Sequence, residues 1–401
     1  MSSTVYVKLK DCCTVVGGAT PKRHIPEYWG DDVPWVTPKD VSNIEDPILR
    51  DAPEYISKLG YKNCSTYLLP KGSILFTSRA PIGNVAIAGR EMCTNQGFKN
   101  LIPGKNVDSA YLYHCMRYMS PKLQALGNGA TFKEVSKKIV EEFEIPLPPL
   151  EEQKRIAVIL DKADAIRRKR QQAMTLTGQF LRAVFLDMFG DPVTNPKGWK
   201  IAPLSTIVSA LEGGKNVNPD ESGNLTLNRV LKVSAVTSGI FLPEESKPLP
   251  DNFEPPKSYF VKKGDLLISR ANTTELIGAT AFVTETPGNI VLPDKIWRFI
   301  WKDENNIHPL YVHYLFRQSH IRREISIRSS GTSGSMKNIP KPKLLEILVP
   351  MPPVSEQNKF GTMVEKVINT NGKLSISHRE ITILFNSLIQ RAFRGELNRA
   401  G

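Results

Sequence analysis

Apolar and polar positions alternate with a helical period over residues 146–189, "PLPPLEEQKRIAVILDKADAIRRKRQQAMTLTGQFLRAVFLDMF". Ile156, Ile159, Ala163, Ile166, Ala173, Phe180 and Val184 recur at threes and fours, which draws one apolar stripe along a helix. Pro146, Pro148 and Pro149 favour an extended lead-in and deny the helix an earlier start. Glu151 and Glu152 place negative charge on the first turn, where the helix dipole is positive. Gly190, Asp191 and Pro192 end the run in the order expected of a helix C-terminus. Such a helix is roughly 60 Å long at about 1.5 Å per residue, too long for an ordinary globular core.

The same pattern returns from Pro350. Pro148 and Pro149 fall on Pro352 and Pro353, Gln153 on Gln357 and Phe189 on Phe393, a constant offset of 204 residues without gaps. In this second copy Phe360, Val367, Leu374, Ile381 and Leu388 fall at sevens, a heptad seam. Two equal-length copies behind equivalent proline runs mark an internal duplication.

The segments before each helix are strand-rich. In the first, "VYVKL" opens, residues 21–53 read mostly as loop, and strands are expected at Ile74–Thr77 and Val85–Ala88 around a polar turn. "SAYLYHCMRYMSPKLQAL" is periodic and helical, ending near Gly127. The second segment repeats this order. "WKIAPLSTIV" aligns with "VKLKDCCTVV" and Gly264 with Gly72 at an offset of 192, and Arg270 falls opposite Arg79 after one deletion. "PLYVHYLFRQSHIRREI" matches the periodic helix, and Lys337 is the counterpart of Lys133. In "KIWRFIW" alternation puts Trp297, Phe299 and Trp301 on one core-facing side. The division is 1–145, 146–191, 192–349 and 350–401: a domain and a long helix, taken twice. Paired antiparallel, the helices would form a rigid spacer between two different readers, an arrangement suited to a duplex target with two half-sites.

Charge adds to this picture. The 401 residues carry 53 Lys+Arg against 40 Asp+Glu, a net +13 that suits a polyanionic partner. All five cysteines (Cys12, Cys13, Cys64, Cys93, Cys115) lie in the first third without a CxxC pair, so reduced thiols are expected rather than zinc or disulfides. No apolar signal core and no run of membrane length is present, and a soluble cytoplasmic protein is expected.

Catalytic motifs are missing. The double prolines "LPPL", "EPPK" and "MPPV" do not fit the Asn/Asp-Pro-Pro-aromatic loop that holds a flipped adenine. Gly213-Gly214-Lys215 lacks the spacing and hydroxyl of a phosphate loop. One nuclease-like pattern occurs, Asp220 followed by Glu245 and Lys247, but Glu245 sits between Pro243 and Pro248, against a central strand. No bound metal is expected.

The runs "SRAPIGNVAIA", "TNQGFKNL", "LPPLEEQKRIAVILDKAD", "FLRAVFLDMFGDP" and "LFNSLIQRAFRGEL" closely resemble the specificity subunit of type I restriction–modification systems, over essentially the whole chain. The resemblance implies an α+β fold: two mixed strand-and-helix target recognition domains separated by two long helices that form an antiparallel coiled coil, with an internal pseudo-twofold duplication. It implies that each domain reads half of a bipartite double-stranded DNA target. The helices would dock two methyltransferase (modification) subunits, joined by restriction subunits for cleavage. S-adenosylmethionine, ATP and magnesium would belong to those partners and no cofactor to this chain, which would not be catalytic.

Candidate DNA contacts come from loops. Arg79 and Arg270 follow strand ends, preceded by Ser78 and Ser269, where a guanidinium reaches guanine or phosphate or makes a plain salt bridge. Asn84 and Gln96 are candidates for adenine edges. Thr131, Lys133, Ser335 and Lys337 are candidates for phosphate, Lys295 is a further DNA-binding candidate, and Lys162, Arg167, Arg168, Lys169 and Arg170 crowd the first long helix for phosphate or an acidic partner. Two other readings stand beside this one: a magnesium nuclease on Asp220, Glu245 and Lys247, and a free-standing DNA-binding regulator, which would need a compact helix-turn-helix and a homodimer seam.

Overall fold

The structure, a computed structural model, describes residues 5–42, 44, 46–79, 81–128, 133–217, 228–250, 252–331 and 336–397, with 369 and 371–379 described by backbone alone. Two compact units divide the chain. Unit 1 takes Met1–Ala173 with Leu374–Gly401, and unit 2 takes Met174–Lys373. Each therefore holds one strand-rich segment and part of both long helices, Leu150–Phe189 and Val354–Phe393, 40 residues apiece.

Unit 1 is built on a five-stranded sheet in the order Cys13–Gly17, Lys99–Pro103, Ile74–Phe76, Val85–Ala88, Ile48–Leu49. A three-stranded sheet runs Glu54–Ile56, Trp29–Val36, Cys93–Thr94, its second pair parallel. Both expected strands are present, Ile74–Phe76 and Val85–Ala88. The expectation of loop over 21–53 is corrected: Trp29–Val36 is a central strand, and Pro38–Ser42 is a helical turn. Pro34 pairs in register with Tyr55 just after the break between Trp29 and Val33, and it precedes Trp35, where the parallel pairing with Cys93–Thr94 begins, so the proline sits where the strand is paired on one side only.

Unit 2 repeats the topology. Its four-stranded sheet runs Val208–Gly213, Ile296–Trp301, Leu266–Ser269, Thr280–Phe282, and its three-stranded sheet Ser246–Pro248, Arg229–Leu231, Ile290–Val291. The backbone bonds repeat as well. Gly72 N–H donates to Ala88 O and Gly264 N–H to Val283 O, both at 2.8 Å, and both glycines are left-handed at φ +89° and +92°. Leu9 N–H donates to Phe143 O and Leu204 N–H to Ile347 O, both at 2.9 Å. This last match moves the alignment of the opening strands: Leu9 corresponds to Leu204, three residues away from the offset of 192 that the side-chain likeness suggested. Main-chain pairing follows the sheet, and "VKLK" and "WKIA" resemble one another in composition, not in register.

The helix Ser109–Ala125 is capped by Asp108, whose carboxylate accepts from Tyr111 N–H at 2.9 Å. Its counterpart in unit 2 is split into Pro309–Phe316 and Ser319–Arg328 at the buried Gln318. Tyr111 and Tyr311 are fully enclosed, and each hydroxyl donates at 2.7 Å to the carbonyl of the proline run, Pro146 and Pro350.

Within unit 1, Ile156, Ala157 and Leu160 near the start of the first long helix share a core with Phe385, Ile389, Ala392 and Phe393 near the end of the second. Within unit 2 the ends are exchanged: Leu181, Phe185 and Phe189 pack with Phe360 and Val364, the Phe189 and Phe360 rings meeting edge to face at 5.5 Å. Head against tail in each unit is the pairing of antiparallel helices. The seam itself differs in part from the sequence stripe. Ile156 and Phe360 are buried, Ile159, Ala163, Val184, Val367, Ile381 and Leu388 are half-buried, and the Leu374 side chain lies outside the described residues. Ile166 and Phe180, taken for seam, are 49 % and 57 % exposed. A helix of period 3.6 drifts around its axis against any straight stripe. Each unit pins its own face of the helix to its own sheet, so one stripe cannot serve both.

Candidate nucleic-acid interface

The turn after the strand Ile74–Phe76 is held by its own backbone. Thr77 N–H donates to Asn84 O at 3.0 Å, Gly83 N–H to Thr77 O at 2.9 Å, and Gly83 is left-handed at φ +103°. In unit 2, Ser269 N–H donates to Ala279 O and Gly278 N–H to Ser269 O, both at 2.8 Å. Thr77 is thus the counterpart of Ser269, and Ser78 that of Arg270: their amides donate to Gly97 O and Lys295 O at 2.8 and 3.0 Å. Arg79 therefore lies opposite Ala271, not Arg270, which corrects the one-deletion alignment. The two arginines occupy adjacent, non-equivalent positions of the same turn.

Their surroundings differ accordingly. Arg79 is half-buried, its backbone bridged to Glu134, and no ion pair is formed by its side chain among the described residues. Arg270 is tied down: Nε donates to Asp294 O at 2.6 Å, Nη1 to Asn338 Oδ1 at 3.1 Å and Nη2 to Asp294 Oδ2 at 3.3 Å, with the guanidinium 5.5 Å from the Trp297 ring centroid. It braces the loop and is not posed as an open base reader. Ser78 and Ser269 are fully buried, their hydroxyls donating to Gly97 O at 3.1 Å and Ala271 O at 3.4 Å, so neither reaches solvent. The small hydroxyl at a strand end satisfies the backbone, and that use removes both as contacts.

Gln96 is exposed, its carbonyl accepting from Thr20 Oγ1 at 2.5 Å. Asn84 is half-buried and donates to Ser42 Oγ at 3.1 Å. Lys133 is exposed, whereas Lys337 turns back to Ser326, donating to its carbonyl at 3.2 Å. Thr131 and Ser335 lie outside the described residues, as does Asp220. Glu245 accepts from Ser234 Oγ at 2.7 Å and lies 3.6 Å from Lys232 Nζ; those two neighbours hold its carboxyl below the usual range. Among the described residues no three His, Cys, Asp or Glu side chains gather as a metal site requires, and no helix is long and apolar enough to cross a membrane. Trp297 and Phe299 are buried in the core of unit 2, as their alternation predicts.

A basic groove emerges that the sequence reading did not assemble. Lys215, Lys232, Lys247 and Lys295 line one cavity of about 260 Å³ in unit 2, with Asp294 on its wall. Gly214 makes it possible: a Cβ there would stand 1.8 Å from Leu292 O, so only glycine lets the Lys215 loop lie against the Pro293–Lys295 loop. Gly18 holds the matching place in unit 1, where a Cβ would meet Thr94 O at 2.1 Å; there Ala19 and Gly97 stand where unit 2 has Lys215 and Lys295, and the adjoining edge carries Thr20 and Gln96. Four lysines lining a concavity, Lys232 paired with Glu245 and Asp294 on the wall, leave a net positive surface that suits a polyanion. The Gly-Gly-Lys run was the available signal, and its meaning lies in close backbone approach, not in a nucleotide loop.

Known proteins share this construction. The type I restriction enzyme MjaIX specificity subunit of Methanocaldococcus jannaschii is 39% identical over 226 residues, which is 52% of this chain and 52% of that protein. The chain thus spans about half the length of that relative. The EcoKI specificity subunit of Escherichia coli K12 is 25% identical over 318 residues, 74% of this chain and 67% of that one. The crystal structure of the type I restriction–modification S subunit from M. genitalium superposes with a TM-score of 0.61 at 14% identity, covering 97% of this chain and 96% of that one, which establishes the shared fold. The model of the type I restriction modification DNA specificity domain matches residues 1–176 and 196–378, most of the chain, and the chain belongs to that family.

Proposed function

We propose that this chain is the sequence-reading subunit of a type I restriction–modification enzyme: it recognises a two-part double-stranded DNA target and performs no chemistry itself. The observation that carries this is duplication of the frame with divergence of the reading edge. Strand order and main-chain bonds repeat between the units, whereas the edge is a four-lysine groove in one and a Thr20–Gln96 edge in the other. Equivalent scaffolds with different edges suit two different half-sites. Arg79, Asn84, Gln96, Lys133 and Lys295 remain the candidate contacts, joined by Lys215, Lys232 and Lys247. The long helices serve as spacer and as the docking surface for two modification subunits, joined by restriction subunits in the full enzyme. S-adenosylmethionine, ATP and magnesium enter with those partners in the cytoplasm.

Replacing residues 192–349 with the corresponding domain of another family member tests this reading. Mapping of methylated adenines should then show one half-site changed and the other retained. A change in both would refute independent reading. Methyl transfer or plasmid cleavage by the purified chain alone, supplied with S-adenosylmethionine or magnesium, would refute the non-catalytic role.

A further inference from the structure

The two units carry different charge at equivalent places on one edge, and main-chain bonds fix the equivalence. The amides of Ser78 and Arg270 donate to Gly97 O and Lys295 O, which matches Gly97 with Lys295. Asp40 N–H donates to Thr37 O at 3.0 Å, and Ala235 N–H donates to Lys232 O at 3.0 Å, which matches Thr37 with Lys232. Trp35 pairs with Cys93 on one side and Glu54 on the other; Val230 pairs with Val291 and Lys247, which matches Glu54 with Lys247. Gly18 and Gly214 make the same close approach, so Ala19 matches Lys215. All four lysines of the unit 2 groove thus stand where unit 1 has an uncharged or acidic residue.

The groove stays positive after its partners are set against it. Lys232 lies 3.6 Å from Glu245, and Asp294 on the wall accepts from Arg270 Nη2 at 3.3 Å. Lys215, Lys247 and Lys295 make no hydrogen bond or ion pair among the described residues. The four lysines and Arg270 against Glu245 and Asp294 leave three positive charges in excess among the described residues. Counting the exposed Glu244 as well, which does not line the cavity, still leaves two. In unit 1 Glu54 meets Arg23 at 2.5 Å, so the matching edge is neutral at these positions. Packing does not require the lysines. Lys215 and Lys247 are exposed, and unit 1 builds the same sheet without them. Like charges gathered around a cavity of about 260 Å³ repel one another, and an anion seated there relieves the repulsion. A lysine ammonium meets phosphate as a point charge, so it holds a duplex without reading its sequence.

We infer that unit 2 anchors the duplex by charge, its lysine groove seating backbone phosphates, and that unit 1 holds its half-site without a matching charge contact on this edge. DNA as the occupant rests on the sequence-reading function proposed above; the affinity of the groove for phosphate does not. The two halves therefore bind by different chemistry: salt-dependent, sequence-independent holding falls to one of them.

Two measurements on the full chain test this. Binding to target and to random duplex DNA is followed between about 50 and 200 mM salt, and melting temperature is followed in inorganic tripolyphosphate against chloride at equal ionic strength. Lys215→Gln combined with Lys247→Gln should make the salt slope shallower by about two, so that roughly tenfold less affinity is lost across that range, equally on both DNAs. Arg23→Gln combined with Glu54→Gln, which removes the neutral pair from the matching edge of unit 1, should leave the slope as it is. Tripolyphosphate should raise the melting temperature of the parent chain more than chloride does, and the double lysine variant should lose that difference. An unchanged slope in the folded lysine variant would overturn the anchor, and so would a loss confined to the target, which would make the lysines base readers. A slope reduced by about one in the Arg23 and Glu54 variant would overturn the division between the halves. Absence of tripolyphosphate-specific stabilisation would overturn the groove as an anion site. Equal affinity of the parent chain for target and random DNA would count against the reading function and leave the anchor standing.

Discussion

Gln153→Ala tests how unit 1 joins its recognition segment to the start of the first long helix. Gln153 is fully buried, and its amide spends every strong group: Oε1 accepts from Asp108 N–H at 2.9 Å, and Nε2 donates to Asn106 O at 2.9 Å and Pro148 O at 2.8 Å. The three partners come from the entrance of Ser109–Ala125 and from the proline run, so one side chain ties both to the spacer. Truncation removes three bonds of about 0.5–1.5 kcal/mol each and leaves partly buried groups to find water, for a total near 2–4 kcal/mol. In a unit of this size that corresponds to a fall of roughly 5–12 °C in its melting temperature. Gln357→Ala removes two such bonds among the described residues, to Pro352 O and from His308 N–H, and should cost about 1 kcal/mol less. Calorimetry measures both, and amide exchange localises the first: the Asp108 amide should exchange faster in Gln153→Ala, with preference among DNA sequences unchanged. A shift under about 2 °C, or an Asp108 amide as protected as before, would mean the glutamine is a passenger.

The remaining expectations concern single groups. His313 is buried beside Thr280, its ring nitrogen 2.9 Å from the hydroxyl, and burial, reinforced by Arg317, pushes its pKa down to about 3. Because the folded value lies below the ordinary one near 6.5, the stability held by the neutral ring is complete above pH 6.5 and drains as pH falls towards 3. Between pH 6.5 and 5 the loss is about 2 kcal/mol, and His313→Gln should flatten that limb in denaturant titrations; a parallel pH dependence would contradict it. Arg79→Ala should weaken binding to the target by about 1–3 kcal/mol if its guanidinium meets a base, and by the same amount on random DNA if it meets phosphate. Arg270→Ala should first lower the melting temperature, since it frees Asp294 and Asn338; full stability with lost discrimination would show that Arg270 reads a base directly.

The duplication, the two 40-residue helices and the paired strand-rich domains are all legible in the chain, because period and punctuation are local properties. The helix ends at Phe189 and Phe393 follow from residues within a few positions of them. Tertiary structure decided the rest. Which face of a long helix is buried depends on the sheet it meets, so Ile166 and Phe180 are exposed while Leu181 and Phe185 are enclosed. The register between repeats depends on main-chain bonds that side-chain likeness does not encode, so Arg79 and Arg270 parted company, and the equivalence passed to Ser78. Ser78 and Ser269 read as surface hydroxyls but are consumed by the backbone at strand ends. The basic groove draws residues from separate stretches of chain, Lys215 with Lys247 and Lys295. Charge acts through space at a few ångströms, and only the folded chain determines which charges come that close.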